Sequence, residues 1–274
     1  MPNLTVGQAN LYYEVHGEGP AIILMHGIGG NHASWFQQVP VFAASYQVIV
    51  MDHRGFGKST DPQGLGRAAF VSDLLAMADH LQLDRFALVG QSMGAGTCGV
   101  FAHEHPKRVA ALVMSDSTHA FLESGELASV LQAARAATDA LPQLQRVLAR
   151  DFSVVRPDLA CLYQQISSFN AVGRKNLGGS LAPLVTPESL AGKGIPTLLM
   201  VGQEDCIFPP RAVQIVHERM PGSIYIEVSK SGHSPYFERP TEFNDSVLTF
   251  LQAIRYRGRA KPAHSNASGY QAVG

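Results

Sequence analysis

Short apolar runs bounded by turn residues recur along the chain: Ala21–Met25, Val48–Met51, Phe86–Val89, Leu112–Met114 and Thr197–Val201. Each has the length of a strand buried on both faces and is too short for a helix. Between them, Ala68–Leu81, Gly96–His105 and Arg211–Met220 repeat apolar residues at helical spacing. Strand and helix therefore alternate, as parallel crossover connections require, and a doubly wound, mostly parallel α/β sheet follows. Leu4–Val6 and Ala9–Val15, separated by Gly-Gln, read as an antiparallel hairpin at the sheet edge. Ile224–Val228 is a further strand-like run, and Pro240–Gln252 a final helix-like one.

The alternation stops between His119 and Gly192. Helical spacing over Glu123–Ala140, Leu144–Phe152 and Asp158–Ser168, with a Gly/Pro-rich exit, predicts a helical cap inserted at 119–192. The core then comprises 1–118 and 193–254. Residues 255–274 are polar and expected to form a flexible tail.

Composition narrows the functional classes. A hydrophobic fraction of 46% in 274 residues suffices for one large core. A formal net charge of −1 leaves no electrostatic footprint for nucleic acid. The 3 cysteines, odd in number and widely spaced, argue against a disulfide framework and fit a reducing compartment. No leader pattern or apolar run of membrane-spanning length is visible, so a cytoplasmic protein is expected.

The strongest chemical signal is Gly90-Gln91-Ser92-Met93-Gly94, a Gly-x-Ser-x-Gly joining a strand to a helix. A nucleophilic serine needs a tight, strained turn that projects its hydroxyl, and bulky flanking residues would collide with the neighbouring elements. Such a pentapeptide arises by chance in roughly one chain of this length in ten, so its context must carry the argument. That context includes an acid and a histidine in the order Ser, acid, His. His233, in Ser231-Gly232-His233-Ser234-Pro235, follows a strand and suits a general base. Asp205 follows Thr197–Val201 and suits the acid that orients the imidazole, with Asp116 after Leu112–Met114 and the adjacent Glu204 as competitors. His26-Gly27-Ile28-Gly29-Gly30, directly after the first parallel strand, supplies amides for an oxyanion, with Ile28 and Met93 as the expected pair.

These motifs, together with Asp52-His53-Arg54-Gly55-Phe56-Gly57-Lys58-Ser59, resemble those of α/β-hydrolase-fold serine hydrolases over roughly residues 3 to 252. The resemblance implies a Ser92–His233–Asp205 triad and a structural role for the Asp52–Ser59 loop. The branch resembled includes carboxylesterases, enol-lactonases and carbon–carbon bond hydrolases of ring-cleavage products. In many of the last group an Asn precedes the serine; Gln91 stands here and favours a small, largely uncharged ester as substrate. Arg156 and Arg174 in the insert keep the carbon–carbon alternative open, and a non-hydrolytic ligand-binding protein on the same fold is the other rival.

Gly27, Gln91, Phe121, Phe152, Phe169, Phe208 and Tyr236 are the expected substrate-binding residues, the aromatics lying in or beside the insert and loops above the sheet's carboxyl edge. Gly94-Ala95-Gly96-Thr97-Cys98-Gly99 spells a dinucleotide fingerprint, but the elbow already occupies the turn that its first glycine would close, so helix packing is expected of these glycines. His103 and His105, two residues apart, do not share a helical face for a metal. No cofactor or metal is implied, and the expected partners are a small-molecule substrate and, at most, a second copy of the chain.

Overall fold

The computed structural model describes residues 2–256. Eight strands form a sheet in the order β1-β2-β4-β3-β5-β6-β7-β8: β1 (Asn3–Val6), β2 (Ala9–His16), β3 (Ala21–Met25), β4 (Gln47–Met51), β5 (Phe86–Gln91), β6 (Val109–Ser115), β7 (Thr197–Gly202) and β8 (Ile224–Val228). The β1–β2 and β2–β4 pairings are antiparallel and all others parallel, as expected from the Gly-Gln turn and the buried runs. Helices α1 (Val39–Phe42), α2 (Phe70–His80) and α3 (Met93–Glu104) precede the insert, and α9 (Pro210–Glu218), α10 (Pro235–Glu238) and α11 (Pro240–Ala253) follow it.

Pleating divides each central strand between two cores. Ile23 and Met25 join Leu88, Leu112 and the α2–α3 residues Leu74, Met77 and Phe101 on one face. Ile22 and Leu24 join Val89, Val113, Met200 and the α11 residues Phe243, Val247 and Leu251 on the other. Both faces being covered, the central strands read as unbroken apolar runs rather than alternating ones. Each fully buried Leu or Ile contributes roughly 1.5–3 kcal/mol relative to an exposed one.

Between β6 and β7 lie α4 (Gly125–Thr138), α5 (Gln143–Val147), α6 (Phe152–Val155), α7 (Pro157–Ser168) and α8 (Pro187–Ala191). The helix expected over Leu144–Phe152 is divided: Leu148 is extended, with Val147, Leu148 and Ala149 buried in the α11-side core. A short parallel bridge between Phe121 and Val185, absent from the helical reading, closes the base of the insert. Asn170 ties the insert to the core: its amide donates to the Gly30 carbonyl (3.1 Å) and its oxygen accepts from the Gly57 amide (2.9 Å).

Two sequence expectations need revision or restriction. Tyr256, assigned to a flexible tail, donates to the Ala21 carbonyl (2.8 Å), and its own carbonyl accepts from Tyr46 (2.8 Å), so the ordered fold runs past 254. The rest of the expected tail, 257–274, lies outside the described residues. The Asp52–Ser59 loop is organised by its own acid, which accepts from the His32 and Lys58 amides (2.6 and 2.8 Å), while Arg54 pairs with buried Asp73.

The glycines of the apparent nucleotide fingerprint are explained by packing. A Cβ on Gly94 would collide with the Met25 carbonyl, one on Gly96 would lie 2.7 Å from His119 Cβ, and one on Gly99 2.6 Å from Ala120 Cβ. The α3 helix can approach β3 and the β6 exit only because these positions lack side chains. Gly94→Ala is therefore expected to cost about 1–3 kcal/mol in a urea titration, since the atom it meets is backbone and cannot rotate away. Wild-type stability in that variant would refute this account of the crossing.

Candidate active site

Strand register brings the elbow and the Gly-rich loop together. β3 and β5 run parallel with Met25 opposite Gly90, so the two chains leave the sheet side by side. Gly27 consequently lies against the serine: a Cβ there would stand 2.9 Å from Ser92 Cβ and collide with the Gln91 amide oxygen. On the other side β6 pairs Gln91 with Ser115, and the Ser92 amide donates to the Ser115 carbonyl (2.9 Å). Ser92 adopts φ 51° and ψ −117°, a region that costs a side-chain-bearing residue on the order of 1–3 kcal/mol. Gly90, against the Ala95 backbone, and Gly94, against β3, let the turn close tightly enough to hold it there.

The histidine loop is fastened to this turn. Gln91 Nε2 donates to the His233 carbonyl at 2.7 Å, so Gln91, expected to bind substrate, instead anchors the neighbouring loop. His233 Nδ1 lies 2.8 Å from Asp205 Oδ2. A carboxylate partner requires the proton on Nδ1 and leaves the Nε2 lone pair available. The other Asp205 oxygen accepts from the Ile207 and Phe208 amides (2.8 and 3.1 Å), which fix the carboxylate's orientation. Glu204 turns the other way and accepts from the Arg150 amide (3.1 Å).

Asp116, the competing acid, lies in the same buried cluster, its carboxyl within 4.8 Å of the Asp205 and His233 ligand atoms. It accepts from the Gly202 amide (2.8 Å) and from the Ser115 hydroxyl. Burial, and then the charge of Asp205, push its pKa well above the ordinary carboxyl value, which favours the neutral form of Asp116 beside Asp205. These oxygens already accept from amides and hydroxyls, which suits a hydrogen-bond network better than a cation.

Ile28 follows Gly27, and Met93 is the first residue of α3. Neither backbone N–H has an acceptor among the described residues. The first N–H groups of a helix lack partners within it, and in the loop the Gly30 amide turns back to the Gly27 carbonyl (3.1 Å) and stiffens the bend.

The predicted aromatics separate into different environments. Phe208 stacks on His233 (5.8 Å between centroids) and meets His119 edge-on (4.8 Å). Phe121 and Phe152 are packed in the two cores, Tyr236 is buried against Trp35 (4.7 Å), and Phe169 is 72% exposed. Arg156 pairs with Asp158, and Arg174 with Asp139, at exposed positions. A cleft lined by Arg67, Phe70, Met93, Thr97, His119 and Leu181 lies beside the serine turn instead. None of these except Met93 was singled out in the sequence. His119, three residues beyond Asp116 at the carboxyl end of β6, carried a positional signal; Arg67, in a polar turn, carried none.

Glu238 also escaped the sequence reading. It accepts from the amides of Gly232 (2.9 Å), Ser234 (3.3 Å) and, in the insert, Ala149 (2.6 Å), binding the His233 loop to the insert. Burial outweighs these donors and pushes its pKa up to about 7.

Comparison with known proteins agrees with the fold. Residues 20–165 match the family model described as alpha/beta hydrolase fold. An esterase from Thermogutta terrifontis, solved with malate bound, superposes with a TM-score of 0.77 at 26% identity, covering 92% of this chain and 96% of its own. The pimeloyl-[acyl-carrier protein] methyl ester esterase of Aeromonas hydrophila is 27% identical, over 87% of this chain and 98% of its own. A putative non-heme chloroperoxidase of Synechocystis is 30% identical, over 92% of this chain and all (100%) of its own. The chain belongs to the α/β-hydrolase fold family and is an enzyme of that family. No helix among its described residues is long and apolar enough to cross a membrane.

Glu238 makes stability pH-dependent in a defined direction. Its folded value of about 7 exceeds the unfolded 4.5, so its contribution is fully present below about 4.5 and lost as pH rises through about 7. The difference is on the order of 3 kcal/mol. Between pH 5 and pH 8 the denaturation midpoint of wild type should fall relative to that of Glu238→Gln, which does not titrate. Parallel pH profiles for the two proteins would contradict the assignment.

Proposed function

We propose that this protein is a serine hydrolase of small carboxylic esters, acting through Ser92, His233 and Asp205 and an acyl-enzyme. The observation that carries the reading is the His233–Asp205 contact (2.8 Å) in a loop whose backbone is gripped by Gln91, the residue preceding Ser92. The esterases of Thermogutta terrifontis and Aeromonas hydrophila, each above 25% identity, support ester chemistry by relationship. In this reading residues 119–192 form a cap over the site.

His233 Nε2 takes the Ser92 proton as the oxygen attacks the ester carbon, forming the C–O bond and a tetrahedral oxyanion. The Ile28 and Met93 amides donate to that oxyanion. Collapse expels the alcohol, which receives the proton from His233 and leaves an acyl-Ser92. Water then repeats the sequence, giving up its proton to His233, and the acid departs as Ser92 is reprotonated. Asp205 holds the ring and stabilises the imidazolium, while neutral Asp116 steadies Asp205 without competing for the charge.

A fluorophosphonate probe should label wild type and leave Ser92→Ala unlabelled, with short-chain aryl ester turnover lost by several orders of magnitude. Labelling that survives the serine's removal would rule out the mechanism. Asp205→Asn should lower kcat by about 10³–10⁴-fold, since it removes the acceptor that selects the imidazole tautomer. Asp116→Asn replaces one neutral group by another and should cost far less; the opposite ranking would make Asp116 the acid.

A further inference from the structure

We infer that the cleft beside Met93 is a carboxylate subsite, with the Arg67 guanidinium recognising a free acid on the substrate, so that the preferred substrates are half-esters or lactones of dicarboxylic or oxo acids. The inference deepens the hydrolase reading and rests on it, and it replaces the uncharged ester expected from sequence. Arg67 is partly buried and lines the cleft. Among the described arginines, buried Arg54 is neutralised by Asp73 and half-buried Arg108 by Asp79, whereas Arg146, like Arg67, is partly buried without a carboxylate partner but lies outside the cleft. Arg67 has no carboxylate partner among the described residues, and burial alone lowers its pKa. A half-buried cation without a counter-charge is costly unless an anion arrives to pair with it.

The backbone that carries the guanidinium is held in place. The Arg67 amide donates to the Gly178 carbonyl (3.0 Å), and the Leu65 and Gly66 amides donate to Asp61 (3.1 and 2.8 Å). Gly66 and Gly179, at φ 52° and 68°, lie backbone to backbone against the facing segment, so the turn bearing Arg67 interlocks with the insert. Across the cleft, His119 is an exposed residue; desolvation by the atoms crowded around its ring, then the charges of Arg67 and His233, lower its pKa to about 4. It is therefore a neutral hydrogen-bonding group that adds no competing charge.

Position and size suit one end of a short substrate. Met93, an expected oxyanion donor, lines the cleft, and His119, Phe208 and His233 form a continuous ring contact from cleft to general base. The open cleft holds about 30 Å³, room for roughly two water-sized groups, so a carboxylate is of a size to enter it. Arg presents two parallel N–H donors to such a pair, while Phe70, Thr97 and Leu181 close the remaining sides.

Binding can be tested apart from turnover, using Ser92→Ala protein and calorimetric titration with the monomethyl esters of malonic through adipic acid, each against its dimethyl ester. At least one half-ester is expected to bind about 10- to 100-fold more tightly than its diester, the scale of a bidentate charged contact. Arg67→Met in the same background should abolish that preference, and Arg67→Lys should restore part of it, which separates loss of charge from misfolding. Equal affinity of half-ester and diester throughout, no half-ester binding up to millimolar concentration, or a preference that persists in Arg67→Met would each overturn the inference. Failure of the hydrolase reading looks different: half-ester binding would depend on Arg67, yet wild type would show no turnover dependent on Ser92.

Discussion

Parallel pairing of β3, β5, β6 and β7 is the constraint on which the rest of the molecule depends. Parallel strands deliver all their carboxyl ends to one edge, and here the register aligns them to within a residue or two. Gly27 meets Ser92 because Met25 is opposite Gly90; Asp116 approaches Asp205 because Ser115 is opposite Met200. The strand order reverses direction between β3 and β5, leaving there the crevice in which open α/β sheets place their ligands.

That edge gathers charge and strain which the surrounding structure must offset. Ser92 sits at positive φ, and Asp116 and Asp205 are buried together. The strain is held by glycines that let α3 close on β3 and β5. The charge is limited by keeping Asp116 protonated and by aiming backbone amides at Asp205. Gln91 and Glu238 then fasten the histidine loop to the elbow and to the insert, so that elements distant in sequence are bonded to one another.

The cleft follows a different logic. Its walls come from the turn before α2, the first turns of α3, and the two ends of the segment between β6 and β7, residues that are far apart in the chain. Of its polar lining residues, Arg67, Thr97 and His119, the proposed subsite uses Arg67 and His119 for substrate choice, whereas the proposed mechanism gives bond breaking to Ser92, His233 and Asp205. One scaffold can therefore retain its chemistry while its specificity changes, since the two sets of residues sit on different loops.

Local chemistry made much of this protein legible in its sequence. Two-sided burial produces apolar runs, so β3 to β7 could be read directly; a strained nucleophile turn demands glycines, so Ser92 stood out; and a base on a loop beyond a strand pointed to His233. The sequence narrowed the acid to Asp205, Asp116 or Glu204 but could not rank their environments, because which carboxyl faces the imidazole depends on how β6 and β7 pair and on what is buried with each. Leu148 and the Phe121–Val185 bridge escaped the helical reading, since packing against the core overrides local periodicity. Gln91 became an anchor, Phe169 turned to solvent, and Arg67 and His119 became cleft walls only in three dimensions. Short-range patterns encode backbone geometry and the identity of reactive groups; the company a side chain keeps is set by contacts between residues tens to hundreds of positions apart, which no local pattern records.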